Sequence, residues 1–430
     1  MLARTAVWAL ALASVASAGE ADRLTPEQKR LNIESFEHVW TTVRDKYWDP
    51  KLGGLDWQAV HDKLRPRLES AITMDQARAT MQEMLARLKQ THFNIVPAKV
   101  YREIGAKDKG EGEGRTGIDV RVVNGRALVV AAEPGSGAAL SGVKPGWEIE
   151  RVDGKPLAEA LRKIEQSFHD STLHDIMLER AVSGRLEGTV GSQVKVTFRD
   201  GRGHSTALDI ERAVPRGEKV SFGNLPPMYF WVESRKVRPD VAYIRFNLFF
   251  APDTLSKAFE NAIRDCPSCR GFVVDLRGNP GGIGGLAMGV AGWFLDKPGL
   301  RLGDMLMRSG TLKFVVYPRA EVFRGPLAIL IDGCSGSTSE ILAGGLQDLE
   351  RARVFGMRSA GAALPSVFER LPNGDGFQYA IANYVSEGGR QLEGAGVIPD
   401  ETAGPSRWAL LESRDPALER ALAWIENSKN

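Results

Sequence analysis

The chain is poor in three residues that often carry structure or chemistry. It has three cysteines and six histidines in 430 residues, and no lysine between Lys313 and Lys429. So few cysteines exclude a small domain stapled by several disulfides. They also exclude a four-cysteine zinc site, because Cys266-Pro-Ser-Cys269 has no second ligand pair. That pair precedes a predicted strand rather than opening a helix, so it reads as a local disulfide or two inert thiols, not as a redox centre. Cys334 is left over and reads as a small buried residue. Charge of one sign is lacking as well: the formal net charge is +2. Neither a nucleic-acid stripe nor a polybasic membrane patch stands out. Long apolar runs are missing beyond Ala6–Ala13, which is short for a membrane span. The lysine gap removes the amine as a proton acceptor from much of the C-terminal part of the chain.

What is present divides the chain into segments. Arg4 precedes the apolar run, and Ala16-Ser17-Ala18 has the small-x-small form of a signal-peptidase site. Residues 1–18 are therefore expected to be a signal peptide cleaved near Ala18, which places the mature protein in the periplasm or outside the cell with no stable membrane span. Residues 19–104 read as an N-terminal helical region. Apolar residues recur at helical spacing from Ile33 to Tyr47, Asp56 is a good N-cap, and Thr73 and Asp75 open a third helix. That helix ends at Lys89-Gln-Thr-His92, and Phe93–Pro97 looks extended. Residues 105–115 have the composition of a flexible linker. Residues 116–213 change to short strands separated by Asn124-Gly125, Asp153-Gly154 and Asp200-Gly201 turns, with a helical insertion near 158–190. From 220 to 410 strands and helices alternate, implying a mostly parallel sheet covered by helices, and 411–430 forms a C-terminal helix. The fold class expected is α+β multidomain: a helical N-terminal region, a β-rich domain and an α/β core.

Two glycine-rich turns fall at the C-terminal ends of predicted core strands, where functional residues of such sheets lie. Pro326–Ile331 reads as a buried strand, Asp332-Gly-Cys-Ser-Gly-Ser-Thr-Ser339 as a turn, and Glu340–Asp348 as a helix. A serine at this junction has free backbone N–H groups and the positive end of a helix dipole beside it, which suits stabilisation of an oxyanion. The other turn, Asp275-Leu-Arg-Gly-Asn-Pro-Gly-Gly-Ile-Gly-Gly285, invites a phosphate-loop reading. It lacks both the Gly-Lys-Ser/Thr ending and the GxGxxG spacing. Its Gly281 and Gly282 amides can instead face a developing oxyanion.

Three motifs in order carry a family resemblance. The run Pro134–Gly154 resembles a PDZ domain, and Thr116-Gly117-Ile118-Asp119 sits where such domains place the loop that binds a peptide carboxylate. With Asp275–Gly282 and Ser335–Asp348 downstream, the chain resembles the C-terminal-processing (tail-specific) serine peptidases. The resemblance implies an α/β peptidase core with Ser337 as nucleophile and Thr338, Gly281 and Gly282 as oxyanion donors. Ser335 lies earlier in the turn, and Ser339 falls inside the first helical turn. The best-known branch uses a lysine twenty-five residues after the serine, and that position is Ala362. The glutamine four residues on is replaced by Ser366, and Arg358 is too basic to substitute. A Ser–Lys dyad is excluded.

A serine hydroxyl needs another base. His38 and His61 sit in helical patterns, and His169, His174 and His204 in the β-rich domain. His92 lies where a helix ends and an extended segment begins. The stretch Met84–Pro97 is similar to the tricorn-like and nisin-resistance-like branch, in which a histidine is the base. The resemblance implies His92 in that role and Thr91 in place of the serine that orients the imidazole, while Gln90 departs from the acidic residue common there. Arg390–Asp400 resembles a tail segment whose glutamate completes the relay, which maps to Glu393; a structural turn with Asp400 as a cap is the other reading. The chain is thus expected to be a serine endopeptidase acting on unfolded or C-terminal peptide segments, without metal, nucleotide or nucleic-acid partner. The alternative is a catalytically inactive relative that binds peptides or apolar ligands.

Overall fold

The computed structural model describes residues 23–98, 113–169, 171–221 and 227–428. The expected signal peptide and residues 105–112 of the expected linker lie outside them. Among the described residues no helix is long and apolar enough to cross a membrane.

Three helices open the described chain: α1 (Pro26–Lys46), α2 (Trp57–Glu69) and α3 (Met74–Ala86). Thr25 starts α1 with a reciprocal capping box to Gln28, and Pro26 fits the first turn. Asp56 and Thr73 cap α2 and α3 as their side chains predict. Phe36, Val39 and Val43 form the buried stripe of α1, packed with Leu64, Leu68, Met81 and Met84. The same cluster contains Phe377 and Tyr379, which belong to a hairpin nearly 300 residues away. β1 (Asn94–Val96) pairs antiparallel with that hairpin. The helical region is therefore packed onto the C-terminal part of the chain, and His92, between α3 and β1, is carried there with it.

A six-stranded antiparallel sheet follows, in the order β2-β3-β4-β6-β7, with β5 beside β4. Its strands are β2 (Ile118–Val123), β3 (Arg126–Ala132), β4 (Glu148–Val152), β5 (Lys155–Pro156), β6 (Gln193–Arg199) and β7 (Ser205–Glu211). Between them lie α4 (Gly137–Leu140), α5 (Ala158–Phe168) and α6 (His174–Leu186). Val120, Val129, Val182, Val194 and Phe198 form the core of this small β-unit. β2 is an edge strand, and α6 packs against it. β8 (Glu218–Val220) and β9 (Met228–Phe230) form a separate ribbon.

The second six-stranded sheet is the centre of the molecule. Its order is β10 (Val232–Arg238), β11 (Val241–Phe246), β12 (Gly271–Asp275), β15 (Leu327–Ile331), β16 (Arg353–Gly356) and β20 (Glu401–Thr402). β10 is antiparallel and the other neighbours are parallel. Every residue of β12 and β15 is buried, as strands covered on both faces require. Phe272, Val274, Leu327 and Ile329 face α7 (Pro252–Arg264), α8 (Gly285–Ala291) and α9 (Thr338–Asp348). Val273, Ala328 and Leu330 face the opposite layer, α11 (Pro416–Asn427), with α10 (Arg407–Leu411) preceding it. The expected C-terminal helix is thus one cover of the central sheet: a Cβ at Gly271 would lie 2.3 Å from the Ile425 side chain. β13 (Arg301–Met307) and β14 (Gly310–Val315) join β19 (Ala382–Ser386), and β17 (Ser366–Arg370) with β18 (Gly376–Ala380) makes the hairpin that receives β1. Cys266 and Cys269 form a disulfide just after α7, and Cys334 is free and buried.

Candidate active site

β12 and β15 are parallel neighbours, so the glycine-rich turns that follow them emerge side by side. The turns are stitched together. Gly336 N–H donates to the Asn279 carbonyl at 3.0 Å. Ser339 Oγ donates to the same carbonyl at 2.9 Å, and Thr338 Oγ1 to the Gly282 carbonyl at 3.0 Å. Ser335 Oγ donates to the Leu276 carbonyl at 2.8 Å. Ser335 and Ser339 are therefore committed to holding the turns and are buried, whereas Ser337 is the one residue from Ile331 to Glu340 that is not fully buried. Its backbone has φ +53° and ψ −116°, a conformation costly for a side chain with a Cβ (about 1–3 kcal/mol). Such a sharp strand-to-helix turn lifts a hydroxyl clear of the sheet edge at the N-terminus of α9.

The amides around Ser337 divide into occupied and open ones. Gly281 N–H donates to Asn279 Oδ1 at 2.9 Å, and Asn279 is held in turn by its Nδ2 on the Phe246 carbonyl at 2.9 Å. Gly281 is thereby removed from the expected oxyanion donors, since its hydrogen is already used inside the turn. Gly282 and Thr338 N–H groups have no acceptor among the described residues. Gly281 matters for a different reason. Its φ is +100°, and a Cβ there would lie 2.7 Å from Ser337 Cβ and 2.8 Å from the Thr338 nitrogen. Only glycine lets the turns approach. Gly281→Ala is expected to abolish Ser337 reactivity and destabilise the fold by more than about 1 kcal/mol, read by a melting curve beside active-site labelling.

Glu340, in the first turn of α9, is 1% exposed and collects four donors. Ser359 Oγ and Gly361 N–H donate to Oε1 at 2.6 and 2.8 Å. Ala362 and Ser337 N–H donate to Oε2 at 2.9 and 3.0 Å. The Ser337 N–H also reaches the Ala362 carbonyl at 2.8 Å. Burial pushes Glu340 up to about 7, against the four donors, which favour the ionised form. The sequence signal was a capping box, Ser337 followed three residues later by Glu340; its grip on residues 359–362 was not visible.

The histidine is reached from the other end of that segment. Ala363 N–H donates to Glu393 Oε2 at 3.0 Å. Thr91 Oγ1 donates to the same oxygen at 3.0 Å, and Thr91 N–H to Oε1 at 2.8 Å. Thr91 Oγ1 lies 2.6 Å from His92 Nδ1. The threonine hydrogen is spent on Glu393, so its oxygen accepts from Nδ1–H and leaves Nε2 with a lone pair. Burial, with the Arg180 guanidinium nearby, lowers His92 to about 4, so the ring is neutral around pH 7. His92 has φ +61°, turning the chain between α3 and β1. Among the described residues no direct hydrogen bond joins its ring to the Ser337 hydroxyl; the two are linked through 362, 363, Glu393 and Thr91. Four of the other histidines pair with carboxylates elsewhere: His38 with Glu369, His61 with Glu37, His174 with Glu165 and Asp175, and His204 with Asp200.

Comparison with known proteins places this geometry in a family. Residues 240–403, which contain both glycine-rich turns, match peptidase family S41. These residues form a peptidase family S41 domain. The chain is a serine-type peptidase. Residues 32–86, covering most of α1 and all of α2 and α3, match the tricorn protease C1 domain. A carboxyl-terminal-processing protease of Picosynechococcus sp. is 27% identical over 369 residues, 84% of this chain and 81% of that protein. A putative tricorn protease homolog 2 of Streptomyces coelicolor is 25% identical over 414 residues, 90% of this chain but 32% of that protein. The solved structure of a photosystem II D1 C-terminal processing protease shares the fold, with a TM-score of 0.58 and 21% identity over 89% of this chain and 94% of that one.

Outside the S41 domain, the expected peptide-binding loop is only partly open. Thr116 is 3% exposed and its carbonyl accepts from Ala138. Gly117 allows a close approach to Ser136 at φ +78°. Ile118 packs against the core of the small β-unit. The Asp119 carboxylate is held by Arg121 at 2.6 Å and Arg245 at 3.1 Å and so ties the β-unit to the central sheet; the role expected of this loop belongs to its backbone N–H groups, not to that side chain.

Proposed function

We propose that this S41 peptidase is an endopeptidase in which Ser337 is the nucleophile and His92 the general base. The carrying observation is the Glu393–Thr91–His92 relay, whose glutamate is bonded to Ala363, next to the residue whose carbonyl holds Ser337 N–H. His92 Nε2 takes the Ser337 proton as Oγ attacks a peptide carbonyl, and returns it to the leaving amine. The bond between them forms as substrate closes the site, since such contacts are commonly loose without it. Thr338 and Gly282 N–H bind the tetrahedral oxyanion; one such donor is worth roughly 3–4 kcal/mol. Ala362 leaves no amine where the lysine of the other branch stands. The match of residues 32–86 to a tricorn domain supports the histidine reading.

Substrates are unfolded or C-terminal peptide segments, in keeping with the names of the relatives. The small β-unit is the PDZ-like domain, and β2, as an edge strand beside α6, offers backbone for strand addition. The mature protein works in the periplasm or outside the cell. A fluorophosphonate probe tests the core of this proposal. Labelling is expected in wild type, absent in Ser337→Ala, and slowed about 10–100-fold in Thr91→Val, which keeps the shape but loses the hydroxyl that orients the ring. An unlabelled wild type that cleaves no unfolded polypeptide sinks the enzyme assignment for this chain. Unchanged labelling in Thr91→Val removes the relay.

A further inference from the structure

The two turns that meet at Ser337 share a single carboxylate. Asp332 Oδ1 accepts the N–H of Gly278 at 2.9 Å, from the first turn, and of Cys334 at 3.0 Å, from the second. Asp332 N–H donates to Ser335 Oγ at 2.9 Å. Its other oxygen is taken by a residue from outside the central sheet: Arg121 of β2 donates from Nε at 2.7 Å. The Arg121 and Asp332 side chains are 13% and 11% exposed, so the bond is charge-assisted and poorly screened. Arg121 cannot swing away, because Nη1 is held by Asp119 at 2.6 Å and by the Val120 carbonyl at 2.8 Å. Its guanidinium also fills the space beside Gly278, where a Cβ would lie 2.5 Å from Nη2.

The strut has a fixed base. Asp175 of α6 packs on Gly333, and Thr172 on Gly361, where an added Cβ would meet them at 2.0 and 2.6 Å. At the opposite end of the small β-unit, Arg407 of α10 donates to the Gly146 and Asp200 carbonyls at 3.1 and 2.7 Å. Leu411 packs against Gly146 and Gly201. The unit is clamped on both sides, so the position of Arg121 transmits directly to Asp332. We propose that Arg121 is a positioning residue for the nucleophile turn, setting from the neighbouring unit the spacing between the Gly282 amide and Ser337. The inference rests on the assignment of Ser337. A displacement of about 1 Å at a reacting group can cost about 10²-fold in rate, so one lost strut is enough.

The test measures two things on full-length protein: acylation by a small fluorophosphonate, and kcat and KM on a short peptide. Arg121→Gln is expected to slow acylation about 30-fold or more and lower kcat to match, with KM within about threefold of wild type. Arg121→Lys, which keeps one charged donor, should recover to within about tenfold of wild type. The double variant Arg121→Gln/Asp332→Asn should be no slower than Asp332→Asn alone by more than about threefold, because both remove the same contact. Wild-type acylation in Arg121→Gln with a raised KM assigns the arginine to docking alone and overturns the inference. Multiplicative losses in the double variant do the same. Should Arg121→Gln lose its cooperative melt, Arg121→Lys decides: acylation at the wild-type rate upholds tolerance of any cation there, and a loss as large as that of Asp332→Asn overturns the role of the charge. An unlabelled wild type would bring down the Ser337 assignment first, and this inference with it.

Discussion

His92→Ala is expected to lower kcat/KM on an unfolded polypeptide by about 10⁴–10⁶-fold at pH 7.5, with the melting curve nearly unchanged. Removing one member of a nucleophile–base unit typically has this effect, because the hydroxyl is left without a proton acceptor while the oxyanion donors remain. Added imidazole should restore part of the loss in the alanine variant. The pH profile separates His92 from an ordinary surface histidine. Catalysis requires the neutral ring, and burial beside Arg180 lowers it to about 4. The activity loss caused by imidazole protonation should therefore appear below about pH 5 and not near the usual 6.5. A variant that keeps more than a tenth of the wild-type rate would assign the base to some other group.

Glu340→Ala should be the most damaging single change outside the nucleophile and base. It strips the acceptor from the N–H groups of Gly361 and Ala362 and from Ser359 Oγ, and leaves the Ser337 N–H only the Ala362 carbonyl, all in a buried setting. Each buried donor left without its acceptor costs about 1–3 kcal/mol, and Ser337 labelling should disappear with the clamp. The charge itself has the opposite sign of effect on stability. Glu340 has its folded pKa raised from 4.5 to about 7. Below pH 4.5 it is protonated in both states; between 4.5 and 7 the folded state alone keeps the proton. The stability linked to that proton is thus full below pH 4.5 and is lost as pH rises through 7, by up to about 3 kcal/mol. Activity runs the other way, because protonating either oxygen displaces one of the donors that hold Ser337 and residues 361–362. Wild type should therefore be more stable at pH 5 than at pH 7.5 but less active, and Glu340→Gln should flatten the stability difference. Equal pH dependence of melting in wild type and Glu340→Gln would show that another group is responsible.

Much of the core was legible because its signals are local. The apolar run to Ile331, the small-residue turn and the helix through Asp348 are contiguous, and β15 and α9 lie within a residue or two of where periodicity put them. The Asp275 turn was also readable, as was the pairing of Cys266 with Cys269 as one of two options. The helical region was legible as helices but not as part of the core. Nothing in α1 announces that Phe36 and Val39 share a cluster with Phe377 and Tyr379, since that contact joins segments far apart in the chain. Gly281 shows the same limit at smaller scale. Its position beside Ser337 was expected, but the side chain two residues before it had already taken its amide. The side chain of Asp119 carried no such signal either: arginines of two different sheets hold it.

The amino-acid sequence by itself determined that a serine stands on a strand-to-helix turn and that no lysine lies between Lys313 and Lys429, because both are properties of residue order. The family resemblance of its motifs is what proposes His92, some 245 residues upstream, as the base. Only the tertiary structure decided what surrounds them: that Glu340 clamps the segment opposite Ser337, that Glu393 and Thr91 orient His92, and that Arg121 reaches Asp332 from another sheet. Hydrogen bonds between distant segments depend on angles and distances set by packing of the whole chain, and no local pattern encodes those.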